Sequence, residues 1–168
     1  MKCDSLVTMR PARAPIGLQL TQTARAVGRA FDDALAEAGG SLPTWLVILS
    51  LKTRNLTSQR ELAVAVGIRE ATLTHHLAAM ESGGLISRRR DPANRRVQVV
   101  ELTPDGEAAF VRLRAVAMAF DRRLRREISD EEITEFEDLL GRFRANAGAE
   151  ASAAPWAGLA ASGPTAGR

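Results

Sequence analysis

The chain has 168 residues, of which 23 are lysine or arginine and 20 are aspartate or glutamate, and its formal net charge is +3. This length suits one domain with a single hydrophobic core and is too short for two large domains. The single cysteine, Cys3, excludes an internal disulfide framework, and the chain lacks the apolar run of about eighteen residues that a transmembrane helix needs.

The N-terminal part of the chain predicts a flexible segment followed by a long helix. Residues 1–14 lack the apolar stretch of a signal peptide, so we expect a flexible segment and a cytoplasmic protein. Apolar residues then recur at helical spacing from Ile16 to Phe31 and stop before Gly39. This pattern indicates an amphipathic helix over 16–38.

The middle of the chain predicts a buried helix and then two short helices separated by a glycine. The buried helix covers 43–53 and opens on a proline. Ser58 and Glu61 have the spacing of a capping box, and the helix that they open ends at Gly67. The next helix covers 69–82. Such a pair is typical of a helix-turn-helix, whose second helix lies in the DNA major groove.

A hairpin rich in arginine follows this pair. Two strand-like stretches, 85–88 and 97–102, are joined by a turn over 91–95 that contains aspartate, proline and asparagine. Guanidinium groups bind phosphate in a bidentate manner and enter the electronegative minor groove, so the hairpin suits duplex DNA. The alternative is a solvated charged loop. The arginines around the turn are Arg88, Arg89, Arg90, Arg95 and Arg96.

Two helices and a tail complete the chain. Thr103 precedes a proline and predicts a long helix over 104–127. A second capping-box pattern predicts the last helix over 130–145. Residues 147–168 consist largely of alanine, glycine, serine and proline and are expected to be disordered. The apolar stripes of the first helix and the last two exceed what one small core could bury, which favours a dimer.

The order of these elements resembles the MarR family of winged helix-turn-helix transcriptional regulators, over about residues 15–145. The segments that carry the resemblance are Gln59-Arg60-Glu61-Leu62-Ala63, Gly67-Ile68, Thr72-Leu73-Thr74-His75-His76-Leu77, Gly84-Leu85-Ile86, Asp91-Pro92-Ala93-Asn94-Arg95-Arg96 and Leu102-Thr103-Pro104-Asp105-Gly106. Two positions depart from the family pattern. Asn94 replaces an acidic residue at the wing tip, and Arg69 replaces the serine that commonly opens the recognition helix.

The resemblance implies a mainly α fold with a small β-hairpin wing, a winged helix-turn-helix whose terminal helices form an intertwined homodimer. The DNA-binding domain would cover 41–103, and the dimerisation region would cover 15–40 and 104–146. A two-fold dimer would place its recognition helices ~34 Å apart, on a pseudo-palindrome with half-sites ~10 bp between centres. We therefore predict a sequence-specific regulator of transcription, a repressor associated with the nucleoid.

The expected DNA contacts fall into three groups. Base readout is assigned to the start of the recognition helix, phosphate contact to the start of the preceding helix, and minor-groove or phosphate anchoring to the wing. These residues are Ser58, Gln59, Arg60, Arg69, Glu70, Ala71, Thr72, Thr74, His75, Arg88, Arg90, Arg95 and Arg96.

The resemblance also implies a candidate effector, because many members of the family release DNA when a small aromatic or phenolic compound binds. The corresponding cleft would be lined by Ile16, Leu20, Trp45, Leu49 and Val111. The alternative is that these side chains simply form the core.

Other classes of function are less well supported by the residues. His75 and His76 are adjacent, and neighbouring helical side chains point about 100° apart, so we expect neither a metal site nor a cofactor. A metal-responsive regulator of the same fold and a nonspecific architectural DNA-binding protein remain the alternatives. No spacing of nucleophile, base and orienting group suggests an enzyme. A winged helix used only for protein contacts would not need arginines on helix and wing.

Overall fold

The computed structural model describes residues 14–54, 58–90 and 98–148. Its elements are α1 (Ile16–Glu37), α2 (Leu42–Arg54), α3 (Gln59–Val66), α4 (Glu70–Ser82), β1 (Ile86–Arg90), β2 (Gln98–Leu102), α5 (Pro104–Leu124) and α6 (Asp130–Asn146). The predicted mainly helical fold with a small β-hairpin is confirmed. The predicted flexible segment and disordered tail lie, apart from Ala14, Ala147 and Gly148, outside the described residues.

Capping side chains define where three of the helices begin. The Thr103 hydroxyl accepts a hydrogen bond from the Gly106 N–H at the start of α5. Ser129 and Glu132 form the predicted reciprocal capping box of α6. At α3 the arrangement differs from the prediction, because the Glu61 carboxylate accepts from the Ser58 hydroxyl, which itself accepts from the Glu61 N–H. Each cap supplies a partner for backbone groups that a helix leaves unpaired.

The fifth helix ends earlier than the sequence pattern suggests. It stops at Leu124, and residues 125–127 form a turn in which Glu127 has a φ of 63°. This left-handed conformation breaks the helical path and turns the chain into α6. The apolar periodicity predicts where the helix begins but contains no signal for a turn made by ordinary charged residues.

The hydrophobic core surrounds α2, which packs against α1, α3, α4, α5 and β2. Ser50 is buried among apolar neighbours, and its hydroxyl donates to the Leu46 carbonyl, so no polar group is left without a partner there. The core residues that are fully or almost fully buried include Leu35, Trp45, Val47, Ile48, Leu49, Leu62, Leu73, Leu77, Val100 and Leu113.

The terminal helices contribute less to this core. In α6 no residue is buried, and Phe136 and Leu139 expose 52% and 43% of their surface. Exposed apolar side chains continue along α5 and the turn after it, at Met118, Leu124 and Ile128. None of the described helices is by itself long and apolar enough to cross a membrane; α1 and α2 together meet that length and composition, but with an 80° bend between them.

Candidate nucleic-acid interface

The turn between α3 and α4 sets the orientation of the second helix. Gly67 adopts a φ of 74°, a left-handed conformation that glycine accepts without steric cost. The N–H groups of Gly67 and Ile68 both donate to the Ala63 carbonyl, which closes α3. Arg69 follows in an extended conformation, and its side chain makes no capping hydrogen bond to α4. Its guanidinium is therefore exposed at the N-terminal end of that helix.

One side of α4 is packed and the other is open. Leu73, Leu77 and Met80 are buried against the core. The residues predicted to read DNA bases all have exposed side chains. They are Arg69, Glu70, Thr72, Thr74 and His75, and Ala71, also predicted to lie at the DNA, is exposed beside them. The structure thus brings the predicted readout residues together on the solvent side of one helix, while His76 is only half-exposed at its edge.

Hydrogen bonds join the start of α3 to this open side. The Gln59 side-chain amide donates to the Thr74 hydroxyl, which in turn donates to the Glu70 carbonyl at 2.9 Å. Arg60 is exposed next to Gln59 on the same helix, whereas the Ser58 hydroxyl is occupied in capping. A phosphate at this end of α3 would accordingly meet backbone N–H groups and Arg60 rather than the Ser58 hydroxyl.

The wing is a two-stranded antiparallel hairpin fastened to α3. Ile86 lies opposite Leu102, and Arg90 lies opposite Gln98. An isolated antiparallel bridge also connects Ser58 to Val99, so the backbone before α3 extends the sheet by one short contact. The strands therefore have a defined position relative to the helix-turn-helix.

Arg88 contacts α4 and is mostly shielded from solvent. Its guanidinium makes an ion pair with Glu81 of α4, through both Nε and Nη2, and its side chain is 19% exposed. The Glu81 carboxylate also accepts from the Arg88 backbone N–H. These hydrogen bonds lower the pKa of Glu81 below its ordinary value of 4.5. The sequence pattern assigned Arg88 to DNA and had no signal for this contact, which depends on how β1 turns back beside α4.

The other wing arginines have different surroundings. Arg89 pairs with Glu101 of β2, with Nη2 2.6 Å from a carboxylate oxygen, and its hydrogen bond lowers the pKa of Glu101. Arg90 is exposed and makes no ion pair with any described residue. Arg95 and Arg96, which were expected at the wing tip, lie outside the described residues, as do Asp91 and Asn94. Of the predicted anchors in the described part of the wing, Arg90 is the one with an available guanidinium.

The residues expected to line an effector cleft differ in their exposure within the protomer. Trp45 and Leu49 are buried in the core, Leu20 is half-exposed, and Ile16 and Val111 expose 52% and 68% of their surface. A shallow cavity of about 420 Å³ lies elsewhere, between α1 and α5. Its lining residues are Ala34, Glu37, Ala38, Val116, Ala119, Phe120 and Arg123.

Metal binding has no geometric support in the described ranges. Within residues 14–54, 58–90 and 98–148, no three histidine, cysteine, aspartate or glutamate side chains form a group that could hold an ion.

The described elements define the class of the fold. A two-stranded hairpin is connected to a helix-turn-helix, and the second helix of that motif has one exposed side, which is the arrangement of a winged helix-turn-helix.

Comparison with known proteins agrees with this class. Residues 41–97 match the model of the MarR family. The uncharacterised HTH-type transcriptional regulator YdgJ of Bacillus subtilis is 35% identical over 89 residues, which are 53% of this chain and 54% of YdgJ. The transcriptional regulator PA3341, of known structure, is 32% identical with a TM-score of 0.69, over 80% of this chain and 98% of that protein. This chain belongs to the MarR family of transcriptional regulators.

A more distant structure shares the fold alone. The organohalide-sensing regulator RdhR-CbdbA1625, solved in its 2,4-dichlorophenol-bound form, is 15% identical with a TM-score of 0.71, over 87% of this chain and 89% of that protein. The chain spans about half the length of YdgJ and nearly all of PA3341.

Proposed function

We propose that this protein is a sequence-specific repressor that binds pseudo-palindromic operator DNA as a homodimer. The observation that carries the proposal is the open side of α4, where every side chain predicted to read bases is exposed while the opposite side is buried. Ala71 and Ala78 on this side are small, so the helix can approach base edges closely. Arg69 and Arg60 supply positive charge on either side of the turn.

Apolar surface supports the dimer. The exposed side chains of α5, α6 and the turn between them form a surface whose burial would be favourable, at roughly 25 cal/mol per Å² of apolar area. A two-fold dimer would cover two successive major-groove turns. Where the site overlaps a promoter, the bound dimer would block RNA polymerase from the same DNA, so we propose that the protein represses transcription. The proposed location is the chromosome.

A small aromatic effector is the remaining part of the proposal. The cavity between α1 and α5 has an aromatic wall, Phe120, and two charged side chains, Glu37 and Arg123. Its location between two helices of the proposed dimerisation region would let a ligand change their packing. RdhR-CbdbA1625, which shares the fold, binds 2,4-dichlorophenol. That compound is therefore a suitable first probe.

The proposed function is tested by selecting bound duplexes from a random oligonucleotide pool and measuring their affinity by fluorescence anisotropy at ~0.15 M salt. We expect a pseudo-palindromic site bound at least ~10³-fold more tightly than random duplex. Equal affinity for both would instead identify a nonspecific architectural DNA-binding protein. Repeating the titration with 2,4-dichlorophenol tests release, and absence of any change would remove that compound as an effector.

A further inference from the structure

The hydroxyl group of Thr74 makes two hydrogen bonds within the protein. It donates to the Glu70 carbonyl at 2.9 Å and accepts from the Gln59 side-chain amide at 2.5 Å. A threonine hydroxyl has a single hydrogen, which the Glu70 carbonyl occupies. Thr74 therefore has no proton to donate to the acceptors that purines and thymine present in the major groove, namely N7, O6 and O4.

The part of Thr74 that can recognise thymine is its methyl group, because thymine presents only an acceptor and a methyl in the major groove and the hydroxyl hydrogen of Thr74 is already donated. The side chain is exposed, and its oxygen is held between Glu70 and Gln59. A β-branched side chain has few rotamers in a helix, so fixing the oxygen also fixes the methyl. An exposed methyl on a helix in the major groove contacts most favourably the C5-methyl of thymine, which other bases lack.

The surroundings of Thr74 allow such a contact. Ala71 precedes it by three residues and Ala78 follows it by four, so both lie on the same side of α4 and both are exposed. Apolar contact requires heavy atoms within about 4.0–4.5 Å. Alanine on either side keeps long side chains from holding the helix away from the groove floor.

We propose that Thr74 selects a thymine in each half-site through methyl–methyl contact and not through its hydroxyl. This inference rests on the proposed function, since it needs α4 to lie in the major groove. The hydroxyl acts within the protein, where it joins α4 to Gln59 of α3. Branching at Cβ by itself restricts the direction of the methyl, whether the other branch is a hydroxyl or a methyl.

Replacement of thymine by deoxyuridine tests the contact directly. Deoxyuridine keeps the hydrogen-bonding groups of thymine and removes the C5-methyl. In the selected site, each thymine is replaced in turn, together with its symmetry mate, and affinity is measured by fluorescence anisotropy. Burial of one methyl-sized group corresponds to about a four-fold change in affinity, so loss of one per half-site should weaken wild-type binding about fifteen-fold at one position.

Two variants separate the methyl from the hydroxyl. Thr74→Ser keeps the hydroxyl and removes the methyl, so its thymine-to-deoxyuridine affinity ratio at the sensitive position should fall to about one. Thr74→Val keeps a methyl and removes the hydroxyl, so its ratio should stay well above one even if its overall affinity drops. The ratio within each variant is independent of any general weakening of the protein.

The outcomes distinguish this inference from the function on which it rests. If no duplex is preferred over random DNA, the proposed function fails and the inference fails with it. If a preferred site is found but no thymine in it responds to deoxyuridine, only the methyl contact is overturned. A ratio that is unchanged in Thr74→Ser would assign the methyl contact to another side chain. A ratio that falls to about one in Thr74→Val would mean that a methyl at this position does not select thymine. Either result overturns the inference.

Discussion

Glu81 and Arg88 form the ion pair that joins the recognition helix α4 to the wing. Glu81 lies in the last turn of α4 and Arg88 in the middle of β1, and the Arg88 guanidinium and backbone N–H both donate to the carboxylate. Arginine presents its N–H donors in a rigid fork that matches a carboxylate, so this pair fixes direction as well as distance. We therefore propose that Arg88 positions the wing, and its predicted contact with DNA stays a prediction.

Replacing Glu81 by glutamine should lower thermal stability at neutral pH. The pKa of Glu81 in the folded state lies below its ordinary value of 4.5, so the stabilisation is fully present above pH 4.5. It is lost as the pH falls through the lowered folded-state pKa, because the carboxylate becomes protonated. The Tm difference between wild type and Glu81→Gln, followed by circular dichroism from pH 7 to pH 3, should accordingly shrink at the acidic end.

Glu135→Gln is the matched control for this measurement. Glu135 is an exposed carboxylate on α6 and makes no ion pair with a described residue. Its replacement should leave Tm close to that of the wild type at neutral pH. A Glu81→Gln difference that persists undiminished at pH 3 would show that the effect comes from something other than the ion pair.

The contrast between Thr74 and Arg88 shows which residue properties follow from sequence. Helical periodicity is a local property, so the exposure of Thr74 on α4 could be predicted from the spacing of Leu73, Leu77 and Met80. The partner of Arg88 depends on where the chain places β1 after the turn, which is a tertiary property. For the same reason, the Gln59–Thr74 hydrogen bond had no signal in the sequence.

At the scale of elements, the first turn of α5 lies directly against the start of the wing. A Cβ atom built on Gly106 would be 2.0 Å from the Leu85 carbonyl oxygen, which is a backbone atom and cannot rotate away. Gly106→Ala should therefore force α5 and the segment before β1 apart. We expect the free energy of unfolding to fall by roughly 2–3 kcal/mol, as for overpacking that requires backbone shifts. Urea denaturation measures this loss.

Gly141→Ala is the control for the same substitution in open space. Gly141 lies inside α6, and a Cβ atom there would meet nothing within 4 Å. Alanine has the higher helix propensity, so stability should stay equal or rise by roughly 0.5–1 kcal/mol. Equal effects of the two substitutions would mean that the close approach at Gly106 is not important for the fold.

Most element boundaries follow from capping and breaking signals that are local in sequence. Ser129, Thr103 and Gly67 mark helix ends as expected, because each acts on backbone groups within a few residues. The end of α5 could not be predicted from such signals, since Glu127 takes a left-handed conformation that its residue type does not favour. The predicted effector cleft stays a prediction, because within the protomer its expected residues include both buried Trp45 and exposed Val111.

At the scale of the whole molecule, α6 packs only weakly against the other described elements, and none of its residues is buried among them. A helix of this kind, with no buried residue, gains little stability from its own backbone and needs tertiary packing. Its apolar residues Ile133, Phe136, Leu140 and Phe143 share one side at helical spacing. A second copy of the chain is the partner that we propose for this side.

Phe136→Asp should disrupt the proposed dimer without disturbing the core, since Phe136 is 52% exposed in the protomer. A charge at the centre of an apolar interface would remain without solvent or partner, so association should be strongly weakened. Light scattering after size-exclusion chromatography should then give the mass of one chain. Affinity for the selected palindrome should fall on the order of 10²-fold, because the two half-sites are no longer linked.

Glu135→Ala changes the adjacent residue, which lies outside that apolar side, and should leave both mass and affinity as in the wild type. A Phe136→Asp protein that keeps the mass of two chains would place the dimer contact elsewhere. A wild-type protein with the mass of one chain would contradict the dimer itself.

Thr103 connects the end of α4 to the start of α5, so the two helices are expected to move together. Its hydroxyl donates to the Gly84 carbonyl behind α4 and also accepts from the Gly106 N–H in the first turn of α5, while its backbone N–H donates to the Leu85 carbonyl. One residue thereby connects the end of α4 to the beginning of α5 through three hydrogen bonds. We therefore expect a tilt of α5 to move α4 in the same direction. In the proposed dimer, the distance between the two α4 helices would then depend on the angle between the two α5 helices.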